Sequence, residues 1–400
     1  MKRILLVDLV SWMGHHRPYF LLYTKLLLEL GYQVDALCLG EEDLKSSFPE
    51  AIFDGSLKII EPRFLFTQRL LLQILKVFSR LNITNLTSHI QLISKWLIIK
   101  NAVFDRSLQE ETFVFLLDLQ GYLTNIPLII QRYCLPKAWA GLYICPPSAD
   151  KLLGEDRSDS LLKHSSLKGL CFLNESLVSE LKLRLNSVFI SHFPDVSYLQ
   201  CEVNKPPIVC KVLQKAAGRK IVLLASLTKK HGLIHFLRLA DTMQNSSILF
   251  FAMGLVRLDG YNFDELAYIQ SRLASPPDNL LVFEDIYPPE ETLNSIYKAA
   301  DAAFVCYEDF QHSSNKLTKA IGLGTPVLVA HRTLLADRVQ KYHLGYAINP
   351  NNLDTASKVL KSLLYDFSFD EALRKAFIEF HSEKTLKNKL SKLIQQDFKV

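Results

Sequence analysis

The stretch from Asp301 to Ala330 reads DAAFVCYEDFQHSSNKLTKAIGLGTPVLVA. Its apolar run at 302–306 has the length of a buried strand, and the run at 327–330 has the same character. A polar segment between them leads into a helical pattern that ends at Gly322-Leu323-Gly324. This order predicts a β-α-β unit, with the polar loop at the N-terminus of its helix. Free N–H groups and the helix dipole favour an anion at that point.

Two lysines, Lys316 and Lys319, fall in the first turns of this helix. Positive charge is unfavourable there unless an anion neutralises it. The glycines close a helix and precede a strand, whereas a dinucleotide-binding fingerprint has glycines that follow a strand and open a helix. The stretch therefore indicates a phosphate or carboxylate site and argues against a dehydrogenase.

Two short motifs, Ser314-Asn315-Lys316-Leu317 and Gly324-Thr325-Pro326-Val327, resemble the nucleotide-sugar diphosphate site of GT-B glycosyltransferases. The segment 282–301 resembles the usual approach to that site. The resemblance implies an α/β fold of two Rossmann-like domains facing each other across a cleft. It also implies a hexosyltransferase-type enzyme whose nucleotide sugar is a substrate, with no cofactor and no metal. The chain contains no Asp-x-Asp pair of the kind that metal-dependent GT-A enzymes use.

The resemblance also implies a set of donor-binding residues. Lys229-Lys230-His231-Gly232 follows an apolar strand and resembles the element that holds the donor diphosphate, although a solvated turn is the alternative. Lys230, Ser314 and Lys316 are expected on the diphosphate itself. The complete expected set is Lys229, Lys230, Ile286, Tyr287, Glu308, Gln311, Ser313, Ser314, Asn315, Lys316 and Lys319.

One departure from the family pattern concerns two acids. Many retaining GT-B enzymes carry Glu-x7-Glu here, and the aligned positions are Gln311 and Lys319. An amide still hydrogen-bonds a hydroxyl, but a charged lysine accepts no hydrogen bond, so recognition of the ribose must differ. Glu308 lies nearby as a replacement acid. The donor is then anionic or held differently, or the site is no longer catalytic, and the stereochemistry stays open.

The first strand, predicted at Arg3–Leu9, is followed by a loop and a helix from Arg17. The loop contains Gly14, which permits a sharp turn, and two histidines, His15 and His16. We expect one histidine, with His16 slightly favoured, to act as a catalytic base. The alternatives are solvated loop histidines or a helix cap. Asp118 ends another predicted strand, at a position that contacts an acceptor or caps a helix.

The length of 400 residues favours two domains. We predict an acceptor-side domain at 1–200, a nucleotide-sugar domain at 201–375 and a C-terminal helix at 376–400 that crosses back. A net charge of +5 is too mild to indicate nucleic acid. The seven cysteines are scattered without a Cys-x-x-Cys pair, which favours free thiols in a reducing compartment.

Met1–Val7 predicts a buried strand rather than a signal peptide, because Asp8 interrupts the apolar run at once. We therefore expect a cytoplasmic protein. The segment 63–106 is apolar and carries seven basic residues against one acid, a pattern typical of membrane-surface helices. An ordinary helix pair over the sheet is the alternative. The expected acceptor is a glycan or a lipid-linked molecule on the inner face of the membrane, as in polysaccharide biosynthesis.

Two competing functions remain open within the same fold. A GT-B pseudoenzyme would serve as a binding or regulatory subunit, and a sugar-nucleotide epimerase would need no acceptor. Release of isotope from a labelled donor separates the three hypotheses.

The membrane hypothesis predicts that the triple substitution Arg69→Glu, Lys76→Glu and Arg80→Glu abolishes sedimentation with anionic liposomes. Each basic residue near such a surface contributes roughly 1 kcal/mol, screened by salt. Nucleotide binding by the same variant is the control and is expected to be unchanged. Failure of the wild-type protein to sediment at low salt would show that the segment is structural.

Overall fold

The computed structural model describes residues 2–12, 14, 16–62, 84–104, 112–122, 135–153, 162, 164–185 and 188–397. The chain forms two compact units. The first comprises Met1–Pro194 together with Glu383–Val400, and the second comprises Asp195–Ser382. The sequence prediction puts the corresponding limits at 200/201 and 375/376.

The first unit is built on a parallel sheet. Its described strands are β1 (Arg3–Asp8), β2 (Gln33–Cys38), β3 (Leu57–Ile59), β4 (Thr112–Leu116), β5 (Trp139–Tyr143), β6 (Leu167–Phe172) and β7 (Phe189–His192). They are ordered β3-β2-β1-β4-β5-β6-β7. The chain passes from β1 to β2 on one side and returns to β4 on the other. This reversal creates a switch point at the carboxyl ends of β1 and β4, where open α/β sheets bind ligands.

Helices cover this sheet. Those described in the first 194 residues are α1 (His16–Glu29), α2 (Glu41–Ser47), α3 (Pro49–Phe53), α4 (Thr84–Phe104), α5 (Ala149–Leu153) and α6 (Glu175–Arg184). Within α4, Trp96 and Ile99 are fully buried in the core. That part of the basic segment 63–106 is therefore a core helix, whereas 63–83 and 105–106 lie outside the described residues, as does His15.

The second unit repeats the plan. Its strands are β8 (Lys220–Thr228), β9 (Ile248–Arg257), β10 (Leu280–Glu284), β11 (Ala302–Val305), β12 (Val327–Ala330) and β13 (Gly345–Ile348), in the order β10-β9-β8-β11-β12-β13. The pairs that join them are parallel. Here β8 lies between β9 and β11, so the switch point falls at β8 and β11. β8 continues to Thr228, which pairs with Arg257, and the turn that follows begins at Lys229.

Helices of the second unit are α7 (Pro207–Ala216), α8 (Leu233–Thr242), α9 (Phe263–Ala274), α10 (Glu290–Ala299), α11 (Asn315–Gly322), α12 (Leu334–Tyr342), α13 (Leu353–Tyr365) and α14 (Glu371–Phe380). Side chains fix several starts: Asn262 forms a capping box with Glu265, and Asp370 caps α14. The last described helix, α15 (Glu383–Asp397), belongs to the first unit.

The predicted fold class, two Rossmann-like α/β domains, is confirmed by these two parallel sheets. In the described part of the chain, no helix is both long enough and apolar enough to span a bilayer. The six cysteines that the structure describes are free thiols.

Gly232 determines how closely α8 approaches the neighbouring strand. It adopts a left-handed conformation with φ of 78°, and a Cβ there would lie 2.4 Å from the carbonyl oxygen of Cys306. Only glycine avoids both penalties. The turn before α8 is therefore fixed against the loop that follows β11.

We predict that Gly232→Ala destabilises the protein more than Gly218→Ala does. Gly218 has a similar φ of 86°, but a Cβ added there would meet no atom within 4 Å, so this position isolates the backbone penalty of about 1–2 kcal/mol. The close contact at Gly232 adds about 1–3 kcal/mol. Urea unfolding of both variants measures the difference, and equal losses would contradict the close approach.

Candidate functional site

The switch point of the second unit brings two loops together. β8 ends in a short 3-10 turn at Lys229–His231, and β11 leads through a polar loop to α11. The backbone N–H of Glu308 donates to the carbonyl oxygen of Lys230 at 3.1 Å, which joins the loops. The two lysines separated by more than eighty positions, Lys230 and Lys316, therefore belong to one site.

Lys316 carries a buried ammonium group without a hydrogen-bond partner in the structure. The residue as a whole is partly exposed, but its Nζ atom is buried. Burial, and then the charge of Lys230, lowers the pKa of Lys316 to about 7. Lys230 is exposed, with its Nζ 4.8 Å from the centre of the Phe310 ring. Neither lysine forms an ion pair with a carboxylate of the described residues, so the site has excess positive charge.

Aromatic rings surround these lysines. The Tyr307 ring stacks on Phe310 at 4.3 Å and lies 4.9 Å from the ring of His231. Nδ1 of His231 lies 2.6 Å from Thr228 Oγ1. Burial, followed by the charges of Lys316 and Lys230, lowers the pKa of His231 to about 2. His231 is therefore neutral at physiological pH, and it hydrogen-bonds Thr228 through Nδ1 without adding charge.

A second histidine, His312, lies in the loop between β11 and α11, and its pKa shifts in the same direction. Its pKa is lowered by burial and then by the charge of Lys230. Its Nδ1 is buried and has no hydrogen-bond partner in the structure. A bound anion would reverse the electrostatic contribution, because negative charge nearby favours the protonated forms of histidine and lysine.

The start of α11 faces the same place. Ser314 is its N-cap residue, but the Ser314 hydroxyl makes no cap hydrogen bond and lies 2.7 Å from the Tyr307 hydroxyl. The first N–H groups of a helix have no partner within the helix. Together with the unpartnered Lys316 ammonium, they make this place a candidate anion site.

A cavity of about 200 Å³ adjoins this site. His231 contributes to its wall, which links the cavity to the lysines. The wall also includes Ser226, Thr228, Met253, Arg257, Ile286 and Tyr287. The predicted residues Ile286 and Tyr287 therefore line a cavity beside the anion site.

Several predicted donor-binding residues have other partners. Lys229 Nζ donates to the carbonyl oxygen of Gly260 at 2.7 Å and lies 3.6 Å from Glu265. The Ser313 hydroxyl donates to Asp195 and accepts from Arg338, both at 2.6 Å. Those two hydrogen bonds occupy its single proton and one lone pair.

Two charged residues of the predicted set also have protein partners. Lys319 is buried and pairs with Glu290, and burial leaves its pKa lowered despite that carboxylate. Glu308 lies 3.2 Å from Nε2 of His235.

Polar contacts likewise hold the two amides. Gln311 donates to the carbonyl oxygen of Arg332 at 2.8 Å. Asn315 donates to the carbonyl oxygen of Val196 at 3.3 Å. Of the predicted set, Lys230, Ser314 and Lys316 lie at the candidate anion site.

The switch point of the first unit contains a histidine–aspartate pair. Asp8 ends β1, His16 begins α1, and His16 Nδ1 lies 2.8 Å from Asp8 Oδ2. Both side chains are buried. Burial alone lowers the pKa of His16, but the hydrogen bond and the charge of Asp8, with a contribution from Asp118, raise it above the ordinary value. Gly14 turns the loop between them with φ of 63°.

Asp118 follows β4 on the neighbouring strand and is also buried. Burial raises the pKa of Asp118 to about 6, although the charges of His16 and Lys95 act in the opposite direction. Its Oδ1 has no hydrogen-bond partner in the structure. Lys95 of α4 donates to the carbonyl oxygen of Gly121 at 3.1 Å. Two acids, a histidine and a lysine thus surround the end of β1.

Sequence reasoning missed Asp8 and Lys95 as members of this group. Asp8 carried a signal, because it is an acid at the carboxyl end of an apolar strand, where open α/β sheets bind ligands. Lys95 carried none, since its position depends on how α4 packs. Among the residues described, no group of three or more His, Cys, Asp or Glu side chains is arranged to hold a metal ion.

Comparison with known proteins rests on structure. No family model and no curated protein matches the sequence. An α,α-trehalose-phosphate synthase (UDP-forming) from Burkholderia vietnamiensis matches with a TM-score of 0.68 at 12% identity, covering 99% of this chain and 100% of that one. The N-terminal domain of a trehalose-6-phosphate phosphatase from Candida albicans matches with 0.68 at 15%, covering 99% and 97%. An Escherichia coli structure bound with UDP-2-fluoro glucose matches with 0.65 at 11%, covering 99% of each chain.

These matches span nearly the whole chain, and they confirm the resemblance to GT-B glycosyltransferases in fold. At such identities the likeness is one of fold alone, because a fold hosts many functions and activity depends on the site. The activity therefore depends on the residues at the two switch points.

We predict that a nucleoside diphosphate binds with proton uptake at about pH 8. Lys316 is largely neutral there, and an adjacent anion raises its pKa, so up to about one proton is taken up. At about pH 6 the amine is already charged and uptake disappears. Calorimetry in buffers of different ionisation enthalpy measures this exchange.

Lys316→Met and Lys230→Met are each expected to weaken binding by about tenfold to a hundredfold, since a hydrogen bond to a charged group contributes about 1.5–3 kcal/mol. Lys316→Met should also remove the uptake. Lys229→Met is the matched control, because its amine is already held by Gly260 and Glu265. Unchanged affinity in both variants would place the diphosphate elsewhere.

Proposed function

We propose that the protein is a glycosyltransferase that uses a nucleoside-diphosphate sugar. The observation that carries this proposal is the buried, unpartnered ammonium of Lys316 at the start of α11, beside Lys230. A diphosphate supplies two adjacent negative groups for two adjacent cations. It also accepts hydrogen bonds from the free N–H groups of the helix.

The nucleoside is assigned to the adjoining cavity. Tyr287 and Ile286 offer apolar surface for a base, and the neutral His231 offers a hydrogen bond without charge. Lys319 occupies the place of the family's ribose-binding acid, and its partner Glu290 supplies a carboxylate nearby. The solved structures of the same fold include UDP-forming synthases and one with UDP-2-fluoro glucose, which makes uridine the first base to test.

In the reaction, an acceptor hydroxyl bonds to the anomeric carbon while the bond from that carbon to the diphosphate breaks. The departing oxygen gains negative charge, and Lys230, Lys316 and the N-terminus of α11 stabilise it. Their positions are set by the fold, so little reorganisation is needed as the charge develops. This is the electrostatic part of catalysis.

His16 is assigned the proton of the acceptor hydroxyl. When neutral His16 donates a hydrogen bond from Nδ1–H to Asp8, its lone pair lies on Nε2. Nε2 then accepts the proton of the acceptor hydroxyl. Asp8 then stabilises the imidazolium. We assign to Asp118 Oδ1, which has no hydrogen-bond partner in the structure, a hydrogen bond from a second hydroxyl group of the acceptor sugar or polyol. We assign the acceptor side to this group and to the turn at Gly14.

The finer features stay proposals of the same kind. They are a glycan or lipid-linked acceptor, a role in polysaccharide biosynthesis, a cytoplasmic location and contact with an anionic membrane. Only the membrane contact is supported by the basic residues of 63–106, five of which fall outside α4. The experiment described next distinguishes a transferase from a binding subunit and from an epimerase.

The test is turnover of labelled nucleoside-diphosphate sugars with an acceptor panel. A transferase moves label only when an acceptor is present, an epimerase exchanges label without one, and a pseudoenzyme does neither. His16→Gln should lower turnover by about 10²–10⁴-fold, the usual contribution of a general base, while nucleotide affinity stays unchanged. Full activity of this variant would exclude His16 as the base.

A further inference from the structure

A short segment at the beginning of the second unit braces the anion site. We call residues 195–200 the crossover segment, because the chain passes there from the first unit into the second, which begins at Asp195. Asp195 Oδ2 accepts from the Ser313 hydroxyl at 2.6 Å, and Arg338 donates to the same hydroxyl at 2.6 Å. The N–H of Asp195 donates to Nδ1 of His381 at 3.1 Å, which ties the beginning of the unit to its end.

The next residues continue along the first turn of α11. Ser197 Oγ lies 2.6 Å from Thr318 Oγ1 and donates to the carbonyl oxygen of Asn315 at 3.2 Å. The side chain of Asn315 donates back to the carbonyl oxygen of Val196 at 3.3 Å. These contacts lie on both sides of Lys316 in the sequence.

The far end of the helix is held as well. The Leu199 side chain packs so closely on Gly322 that a Cβ there would lie 2.6 Å from Leu199 Cδ1. On the other side, the fully buried Asn294 of α10 donates to the carbonyl oxygens of Tyr198 and Gln200 at 3.1 and 2.7 Å. The crossover segment is thus fixed between α10 and α11 and follows α11 from one end to the other.

We propose that the crossover segment positions the anion site, and that binding of a nucleoside diphosphate at α11 is coupled to the order of this segment. Asp195 and Ser197 act as positioning residues through Ser313, Asn315 and Thr318. The proposal rests on the proposed function, in which the anion is the diphosphate of the sugar donor.

The physical reason is the unbalanced charge at the start of α11. Without an anion, Lys316 and Lys230 repel each other, and the bracing contacts oppose that repulsion at the helix start. A bound anion offsets that repulsion and stabilises the position of the helix start that the crossover segment holds. Coupling of this kind is reciprocal, so loosening the segment weakens anion binding by the factor with which binding tightens the segment.

Two measurements on the full-length protein test this coupling, with UDP, ADP and GDP as probes. Calorimetric affinity of Ser197→Ala is expected to fall by about fivefold or more, the lower range of known coupling factors. Ser197→Thr keeps the hydroxyl and should restore it. Ser295→Ala is the matched control, since the Ser295 hydroxyl accepts a hydrogen bond from the N–H of Glu202, two residues beyond the crossover segment, and donates to Glu291 within its own helix.

Amide hydrogen exchange supplies the second readout. UDP, or whichever probe binds, should slow exchange at residues 195–200 in the wild type, and Asp195→Asn should abolish this slowing even where the variant is folded. A merely structural role would lower stability without ligand-dependent protection. Wild-type binding with unchanged exchange and an unchanged Ser197→Ala affinity overturns the coupling alone. Absence of binding by every probe overturns the proposed function, and this inference with it.

Discussion

An ammonium group removed from water without a counterion is the constraint on which the second unit depends. Burying an unpaired charge costs several kcal/mol unless the group loses its proton or gains a partner. The lowered pKa of Lys316, about 7, reduces that cost because the amine is partly neutral near pH 7. Lys230 lies near Lys316 at the start of the same helix. Binding of an anion would neutralise the buried ammonium group and so stabilise this arrangement.

The two units have similar sheets but carry different side chains at their switch points. Each places a loop and a helix start at the point where its sheet reverses strand order. In the second unit the side chains there are cationic and suit a leaving diphosphate. In the first they are Asp8, His16 and Asp118, which suit hydroxyl groups and proton transfer. This division corresponds to donor and acceptor roles in a sugar transfer.

Local pattern was sufficient for the β-α-β unit at 301–330, because apolar run length, the glycine stop and the helix start are all short-range features. It was also sufficient to predict that Lys316 lies in the first turn of that helix. It was insufficient for Lys319, whose partner Glu290 lies on another helix, and for Ser313, whose hydroxyl is taken by Asp195 and Arg338. Those pairings arise from tertiary packing across 25 to 118 positions, which no periodicity encodes.

A crystal structure of the protein with a bound nucleoside diphosphate tests most directly whether Lys316 binds the diphosphate. We expect phosphate oxygens within about 3 Å of Lys316 Nζ, the distance of a charge-assisted hydrogen bond. We also expect them at the first N–H groups of α11, with the base in the cavity beside His231. A diphosphate bound elsewhere, with Lys316 still unpartnered, would contradict the central claim.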